Sequence, residues 1–139
     1  MQDLTVSIIQ TGLHWEDTDQ NLSMFSKKID SVSLAVDLIV LPEMFSTGFS
    51  MRSEELAEGM NGKTISWMAN KAIEKACVIT GSIIIKEDGK YFNRLIWMRP
   101  DGSFAHYDKR HLFRMMNEQL HYSAGDKWIV VTLYGWRIC

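Results

Sequence analysis

Residues 38–50 read LIVLPEMFSTGFS, a stretch that combines a buried strand with a charged residue at its end. Residues 38–41 are an uninterrupted apolar run, which is typical of a strand covered on both faces. Pro42 ends this strand, because its ring fixes φ and removes the amide proton that a further ladder hydrogen bond needs. Glu43 therefore lies at the end of a buried strand, where an ionised carboxylate costs desolvation free energy unless another group compensates it.

The residues before this strand predict a β-α-β unit. Residues 4–10, LTVSIIQ, are β-branched and apolar enough to form a first strand. The helix that follows is expected to begin at Asp17 or Thr18, with acidic residues in the first turn, where the helix macrodipole favours them. The buried face of this helix is indicated by apolar residues at steps of three and four: Leu22, Phe25, Ile29, Val32 and Val36.

A second helix is predicted after the loop at residues 42–62. Thr64 has the residue type and the position of an N-cap for this helix. Apolar residues then recur on the inner side of the helix: Ile65, Met68, Ala69, Ala72, Ile73 and Ala76. A strand at residues 78–85, VITGSIII, follows directly.

Three turn signals predict hairpins in the rest of the chain. Asp88-Gly89 separates the strand at residues 78–85 from the run YFNRLIWM. Pro100-Asp101-Gly102 separates that run from SFAHYD, and Gly135 lies between WIVVTLY and WRIC. Each of these β-rich runs is therefore expected to pair with the run that follows the turn.

Two β-α units followed by hairpins predict an α/β (α+β) fold, in which a mixed sheet carries its helices on one face. Residues 1–139 contain no linker, internal repeat or low-complexity tract, so they are interpreted as a single domain. The sequence stops in the apolar strand WRIC without a closing helix or polar cap. This ending predicts that the domain is incomplete at residue 139.

The overall composition narrows the class of protein. With 139 residues, of which 46% are hydrophobic, the chain is long enough for one domain with a core. The net charge of −2 gives no electrostatic basis for binding nucleic acid or an anionic membrane. No apolar stretch reaches the roughly 18 residues that a membrane span needs. Two cysteines and an acidic rather than basic N-terminus favour a cytoplasmic protein without a disulfide framework or a secretory signal.

A second stretch, HYDKRHLFRMMNEQLHYSAGD at residues 106–126, carries further charges. Lys109 follows the strand SFAHYD directly, and Glu118 lies in the irregular segment after it. Glu43, Lys109 and Glu118 are predicted to converge at one end of the sheet. A lysine between two carboxylates would compensate the charge at Glu43, since each charge keeps its neighbours ionised where the dielectric is low. The alternative interpretation, that each is a solvated charge at a loop edge, stays open on pattern alone.

Other functional classes fit the residues less well. His106, His111 and His121 do not have the spacing of a helical zinc motif, so no metal site is predicted. The basic patch DKRHLFR lies in a chain of negative net charge, which argues against nucleic-acid binding. A glycosidase that uses Glu43 and Glu118 as paired carboxylates would leave the lysine between them unexplained.

Four blocks of the sequence resemble the nitrilase superfamily of carbon–nitrogen hydrolases. LPEMFSTGF at residues 41–49 and YDKRHLF at residues 107–113 are similar to the first two signature blocks of that family. GSIIIKEDGKYFNRLIWMRPDGS resembles the strand, hairpin and turn between them, and EQLHYSAGD resembles the block around the second glutamate of the family. The sequences of these blocks most resemble the omega-amidase branch, which hydrolyses 2-oxoglutaramate and related ω-amides of 2-oxo acids. The resemblance implies the N-terminal part of an α-β-β-α sandwich, a homodimer and no cofactor.

The resemblance also implies a role for each charged residue. Glu43 would be the general base that takes the proton from a cysteine thiol. Lys109 would stabilise the oxyanion of the tetrahedral intermediate, and Glu118 would support that lysine and orient substrate or water. An acyl-enzyme thioester would form with loss of ammonia and would then be hydrolysed.

Three further residues are candidates for contact with the substrate. Phe49 is expected to line the pocket. Arg110 and Arg114 are explained either by solvation or by contact with the carboxylate of an anionic substrate, because arginine is the usual bidentate partner of a carboxylate.

The nucleophile is the point at which the sequence departs from the family. The family's cysteine belongs to a block resembling VCYDLRFP that follows the strand containing GWRI. The spacing places this cysteine a few residues beyond Cys139, so Cys139 is interpreted as an ordinary strand residue and Cys77 as a small buried hydrophobe. The chain is therefore expected to be the front half of an amidase. The alternative is a truncated, non-catalytic fragment or binding module that lacks the nucleophile.

Overall fold

The computed structural model describes residues 2–32 and 35–139. The helices are α1 (Thr18–Asp30), α2 (Ser53–Leu56) and α3 (Lys63–Lys75). The strands are β1 (Val6–Ile8), β2 (Leu38–Val40), β3 (Val78–Glu87), β4 (Lys90–Met98), β5 (Phe104–Asp108), β6 (Val131–Leu133) and β7 (Trp136–Ile138). Two short 3-10 turns, Arg114–Met116 and Glu118–Leu120, lie between β5 and β6.

Five strands form a mixed sheet in the order β1-β2-β3-β4-β5. The pairs β1–β2 and β2–β3 are parallel, because a helix returns the chain to the same end of the sheet each time. The pairs β3–β4 and β4–β5 are antiparallel hairpins, and β6–β7 is a separate antiparallel pair. The mixed sheet predicted from the sequence is therefore confirmed.

Helices α1 and α3 pack on one face of this sheet. Phe25 of α1 and Met68 of α3 are fully buried against Ile39 of β2, Ile79 of β3 and Ile96 of β4. The opposite face carries a smaller apolar cluster to which the β6–β7 hairpin contributes. Strand β2 is thus covered on both faces, as its continuous apolar run predicts.

The hairpin turns have the geometry that their sequences predict. Asp88 and Gly89 both have positive φ, at 49° and 73°, which is the backbone of a two-residue turn that matches the twist of the strands. Tyr134 and Gly135, at 47° and 86°, repeat this geometry between β6 and β7. These turns could be predicted because their backbone requirement is local.

The predicted boundaries of the first β-α-β unit are partly wrong. Strand β1 is shorter than residues 4–10, and α1 ends at Asp30, so Val32 and Val36 are not part of the helix. Val36 nevertheless packs against the same core as the helix. Residues 33 and 34 lie outside the described residues.

The predicted start of α3 also needs correction. The N-cap is Gly62, and Thr64 lies inside the first turn. Both the amide and the hydroxyl of Thr64 donate to the carboxylate of Glu58, with the amide at 2.9 Å. Glu58 reaches this position because it forms a bridge with Ile85 of β3. The cap therefore depends on tertiary structure and not on the local sequence.

Two other details differ from the sequence interpretation. Ile73, expected on the inner side of α3, is 57% exposed. The loop predicted for residues 42–62 contains the short helix α2. None of the helices in residues 2–32 and 35–139 has the length and apolar character needed to span a membrane.

Candidate active site

The candidate site lies where strands β2 and β5 end. Glu43 follows β2 after Pro42, and Lys109 follows β5 directly. The two strands run in the same direction, because β5 reverses the direction of β4, which in turn reverses that of β3. Their carboxyl ends therefore meet at the same edge of the sheet.

Lys109 lies between the two carboxylates that the sequence singled out. Its Nζ is 2.9 Å from Oε1 of Glu43 and 3.0 Å from Oε2 of Glu118. The Glu118 side chain has no exposed surface, that of Lys109 is 25% exposed, and that of Glu43 is 51% exposed. The three residues thus form one cluster, and this geometry replaces the interpretation of three independent solvated charges.

Glu118 is held in place by the backbone around it. Asn117 has a left-handed conformation, with φ of 56°, and links the two 3-10 turns. This turn brings the Glu118 carboxylate inward, where its Oε2 accepts a hydrogen bond of 2.5 Å from the backbone N–H of Phe113. A backbone donor and an ammonium together compensate the buried charge.

The ammonium of Lys109 is stabilised by its two partners. Burial pulls the pKa of Lys109 down, but the hydrogen bonds to Glu43 and Glu118 outweigh burial and hold that pKa above its usual value. Lys109 consequently carries its positive charge throughout the neutral pH range. The Nζ atom also lies 4.9 Å from the centroid of the Phe49 ring.

Asn93 of β4 is a member of the site that the sequence interpretation did not single out. Its side chain is buried, and its Nδ2 donates to Oε1 of Glu43 at 2.7 Å and lies 3.4 Å from Oε1 of Glu118. Its backbone carbonyl accepts from the N–H of Lys109 at 2.9 Å. A signal was present in the sequence, since asparagine followed by arginine is unusual in the middle of an apolar strand such as YFNRLIWM.

Two cavities open onto the charged cluster. One, of about 320 Å³, is lined by Glu43, Asn93, Tyr107 and Lys109 together with strand residues of β2 and β3. The other, of about 460 Å³, is lined by Glu43, Phe49, Lys109, His111, Leu112 and Phe113. A small molecule in either cavity would meet both a carboxylate and an ammonium.

The predicted substrate contacts separate into two groups. Phe49 lines the second cavity beside Lys109. Arg110 instead places its guanidinium 4.2 Å from the ring centroid of Trp128, and Arg114 is exposed in a 3-10 turn. Neither arginine lines the two cavities, so the structure does not bring them together with Glu43.

The two cysteines lie apart from the cluster. Cys77 is buried in the core between helices and sheet, and this burial raises the pKa of its thiol. Cys139 lines an apolar groove whose walls do not include Glu43, Lys109 or Glu118. Neither thiol lines a cavity that Glu43 borders.

The loop that presents Glu43 is fixed from several sides. Asn21 of α1 is fully buried, and its Nδ2 donates to the carbonyl oxygens of His14 and Ser46, at 2.7 and 2.9 Å. The hydroxyl of Tyr122 donates to the carbonyl of Ser50 at 2.5 Å. The loop is thus attached both to α1 and to the segment that contains Glu118.

Among residues 2–32 and 35–139, no three or more His, Cys, Asp or Glu side chains are grouped so as to hold a metal ion. His106, His111 and His121 accordingly do not form a common site.

Comparison with known proteins places this geometry in context. Over 138 residues the chain is 37% identical to omega-amidase YafV of Escherichia coli K12. The aligned region covers 99% of this chain and 53% of that protein. Over 126 residues it is 27% identical to 2-oxoglutaramate amidase of Bacillus subtilis, covering 88% and 49%. The chain therefore spans about half the length of the curated relatives that it matches.

A solved structure has the same fold. The crystal structure of a CN-hydrolase superfamily protein from Xanthomonas campestris superposes with a TM-score of 0.95 at 39% identity, covering 99% of this chain and 52% of that one. Residues 5–139 also match the family model described as carbon-nitrogen hydrolase. That match includes both strand ends that carry Glu43 and Lys109, and it shows that the chain belongs to the carbon-nitrogen hydrolase family.

Proposed function

We propose that the protein containing this chain is an amidase that converts the ω-amide of a small 2-oxo acid into a carboxylate and ammonia. The observation that carries this proposal is the Lys109 ammonium held between Glu43 and Glu118 at the edge of two cavities. Family membership and the names of the relatives supply the class of reaction. That the substrate is a 2-oxo acid is the more specific claim within this proposal.

Glu43 is the proposed general base. Half of its side chain is exposed, and it borders both cavities, so an incoming thiol can reach its carboxylate. Transfer of the thiol proton to Glu43 generates a thiolate, which is the nucleophilic form of cysteine. The sulfur then bonds to the amide carbon, and the proton leaves with the amine as ammonia when the C–N bond breaks. General-base catalysis of this kind contributes roughly 10²- to 10⁴-fold to the rate.

Lys109 is the proposed electrostatic partner of the oxyanion. The attack of the thiolate places negative charge on the carbonyl oxygen, and a fixed cation at the cavity wall stabilises that charge without reorganising. One such donor is worth roughly 10²- to 10³-fold in kcat. The thioester is then hydrolysed by a water whose proton passes to Glu43, which releases the carboxylate and restores the thiol.

Glu118 is proposed to set the charge balance of the cluster. Two carboxylates and one ammonium carry a net charge of −1 when all are ionised. After Glu43 accepts a proton, the Lys109–Glu118 pair remains as a neutral ion pair. The base can therefore be protonated without leaving Lys109 as an unpaired charge in a partly buried site.

The nucleophile is proposed to be a cysteine outside residues 1–139. Neither Cys77 nor Cys139 borders the cavities that contain Glu43. A cytoplasmic location and a homodimer are further proposals, which follow from the composition and from the family resemblance respectively.

The function is tested by ammonia release from 2-oxoglutaramate, measured on the product of the complete reading frame that contains this sequence. We expect turnover by the wild type and a loss of at least about 10²-fold in kcat/KM for Glu43→Gln, which removes the base but keeps the shape. Glu54→Gln in α2, an exposed residue, is the matched control and should retain wild-type activity. Absence of ammonia release by the wild type, or a Glu43→Gln variant within a few-fold of it, would contradict the proposal.

A further inference from the structure

We propose that Asn93 is the positioning residue of the site, and that its carboxamide determines which oxygen of Glu43 is available to accept a proton. This inference rests on the proposed function, because it assigns a means of orienting the base of that reaction. It concerns a residue with no chemistry of its own. Asn93 acts through Glu43 and Glu118.

The first step concerns how the Asn93 amide is used. An amide Nδ2 carries two hydrogens, and the two nearest acceptors are Oε1 of Glu43 at 2.7 Å and Oε1 of Glu118 at 3.4 Å. The first distance is that of a short, charge-assisted hydrogen bond, and the second lies at the long end of the range. The carboxamide is therefore directed at the two carboxylates, and most closely at Glu43.

The second step concerns the two oxygens of Glu43. Oε1 accepts both from Asn93 and from Nζ of Lys109 at 2.9 Å. Within residues 2–32 and 35–139, Oε2 of Glu43 has no hydrogen-bond partner. A carboxylate anchored through one oxygen can rotate little, so its second oxygen has a defined direction. Oε2 is therefore the oxygen that can accept a thiol proton without breaking an existing contact.

The third step concerns the rigidity of Asn93 itself. Asn93 lies in β4 opposite Ile84 of β3, and the next residue, Arg94, is fully buried. The guanidinium of Arg94 donates to both carboxylate oxygens of Asp108, at 2.6 and 2.9 Å. Asp108 immediately precedes Lys109. Of the two adjacent β4 residues, Asn93 therefore supplies the carboxamide and Arg94 fixes the strand end that carries the lysine.

The fourth step concerns the consequence for rate. A misplacement of about 1 Å at a reacting group can cost on the order of 10²-fold. Loss of the carboxamide would free Glu43 to rotate about its remaining contact with Lys109. The expected effect is therefore a loss of kcat with little change in KM.

The kinetic experiment compares Asn93→Ala and Asn93→Leu with Ile84→Val in the product of the complete reading frame. Both Asn93 variants lose the donor, and the leucine keeps the approximate size of the side chain without adding a charge. We expect kcat for 2-oxoglutaramate to fall by about 10²-fold in each, with KM within about three-fold. Ile84→Val removes one methyl group from the buried neighbour opposite Asn93 without removing a donor, and its kcat should stay within about three-fold of wild type. An Asn93→Leu variant with wild-type kcat would overturn the proposal.

A spectroscopic experiment tests the same contact without activity. The side-chain amide of Asn93 gives a pair of proton–nitrogen NMR signals, and a short bond to a carboxylate separates the two proton shifts. We expect this separation to shrink in Glu43→Gln and to be unchanged in the control Glu54→Gln. An unchanged Asn93 signal in Glu43→Gln would overturn the positioning role. Because this result does not depend on turnover, an inactive wild type would contradict only the proposed amidase function.

Discussion

At the scale of single residues, the site depends on the ammonium of Lys109 and on the groups that contact it. Lys109 has a carboxylate on each side and the ring of Phe49 against its ammonium. Glu118 has no exposed surface, and Lys109, the Phe113 amide and, at a longer distance, the Asn93 carboxamide compensate its charge. The contacts of Lys109 therefore contribute both to the stability of the fold and to the proposed reaction, and removal of the lysine should affect both.

Lys109→Met is expected to destabilise the protein and also to lower kcat by roughly 10²- to 10³-fold. Removing one member of a buried ion pair costs roughly 3–5 kcal/mol, and we expect about 2–3 kcal/mol here because Lys109 is a quarter exposed. Denaturant unfolding gives the change in the free energy of unfolding. Lys63→Met is the control, since Lys63 and its partner Asp19 are both exposed and should contribute far less. Equal losses for the two variants would mean that Glu118 does not depend on Lys109.

Tyr122 predicts how stability changes at alkaline pH. Burial, and secondarily the negative charge of Glu118, raises the pKa of Tyr122 well above its usual value. A group whose pKa is raised in the folded state stabilises fully below its unfolded pKa, about 10, and loses this contribution as pH rises further. The free energy of unfolding should therefore fall above about pH 10, and less steeply in Tyr122→Phe. Tyr134→Phe, at an exposed turn, should keep the wild-type slope, and an unchanged slope in Tyr122→Phe would contradict the prediction.

Sequence reasoning succeeded for residues whose surroundings are local. Glu43 and Lys109 could be placed at one edge of the sheet because Lys109 directly follows β5 and Glu43 comes shortly after β2, and the sequence marks the end of each strand. Asn93 could not be assigned in the same way, because its partners come from a loop 50 positions before it and a turn 25 positions after it. Arg110 was expected either in solvent or at a substrate carboxylate, and its guanidinium lies against the ring of Trp128, a contact that no local pattern indicates.

At the scale of elements, the hairpin turns and the start of α1 at its N-cap Asp17 were predictable, whereas the bounds of β1, the end of α1 and the start of α3 were not. Asp88-Gly89 specifies its own turn, because both residues tolerate positive φ. The start of α3 depends on Glu58, whose position is fixed by pairing with Ile85 rather than by the residues next to the helix. The loop after β2 is similar, since Asn21, Trp15 and Tyr122 hold it from three different parts of the chain.

Gly48 provides a test of how rigid that loop must be. Its φ is +82°, and a Cβ atom there would lie 2.9 Å from Cε3 of Trp15. Gly102 is a matched control, because its φ of +83° is nearly the same but no atom lies within 4 Å of its Cβ position. Both Gly→Ala variants should lose about 1–2 kcal/mol to backbone strain. Only Gly48→Ala should lose more than this and also lower kcat, as measured by unfolding and ammonia release. Identical effects on stability and kcat would show that the Trp15 contact is unimportant.

At the scale of the whole molecule, the two faces of the sheet differ in how they are covered. The helical face is closed by α1 and α3, whereas the other face carries an apolar groove of about 420 Å³, lined by Leu38, Trp97, Trp128, Val131, Ile138 and Cys139 among others. The general architecture was predictable, because two β-α units and a series of hairpins admit few arrangements. The single domain over residues 1–139 and the homodimer stay predictions.

The central claim is that Glu43, Lys109 and Glu118 serve a cysteine thioester. Intact-mass spectrometry of the acid-quenched product of the complete reading frame, mixed with 2-oxoglutaramate, measures this most directly. We predict an adduct with the mass of the substrate minus ammonia, located by peptide mapping on a cysteine outside residues 1–139 and absent in Glu43→Gln. An adduct on Cys77 or Cys139, or turnover without any adduct in a quench series that covers the first cycle, would contradict the claim.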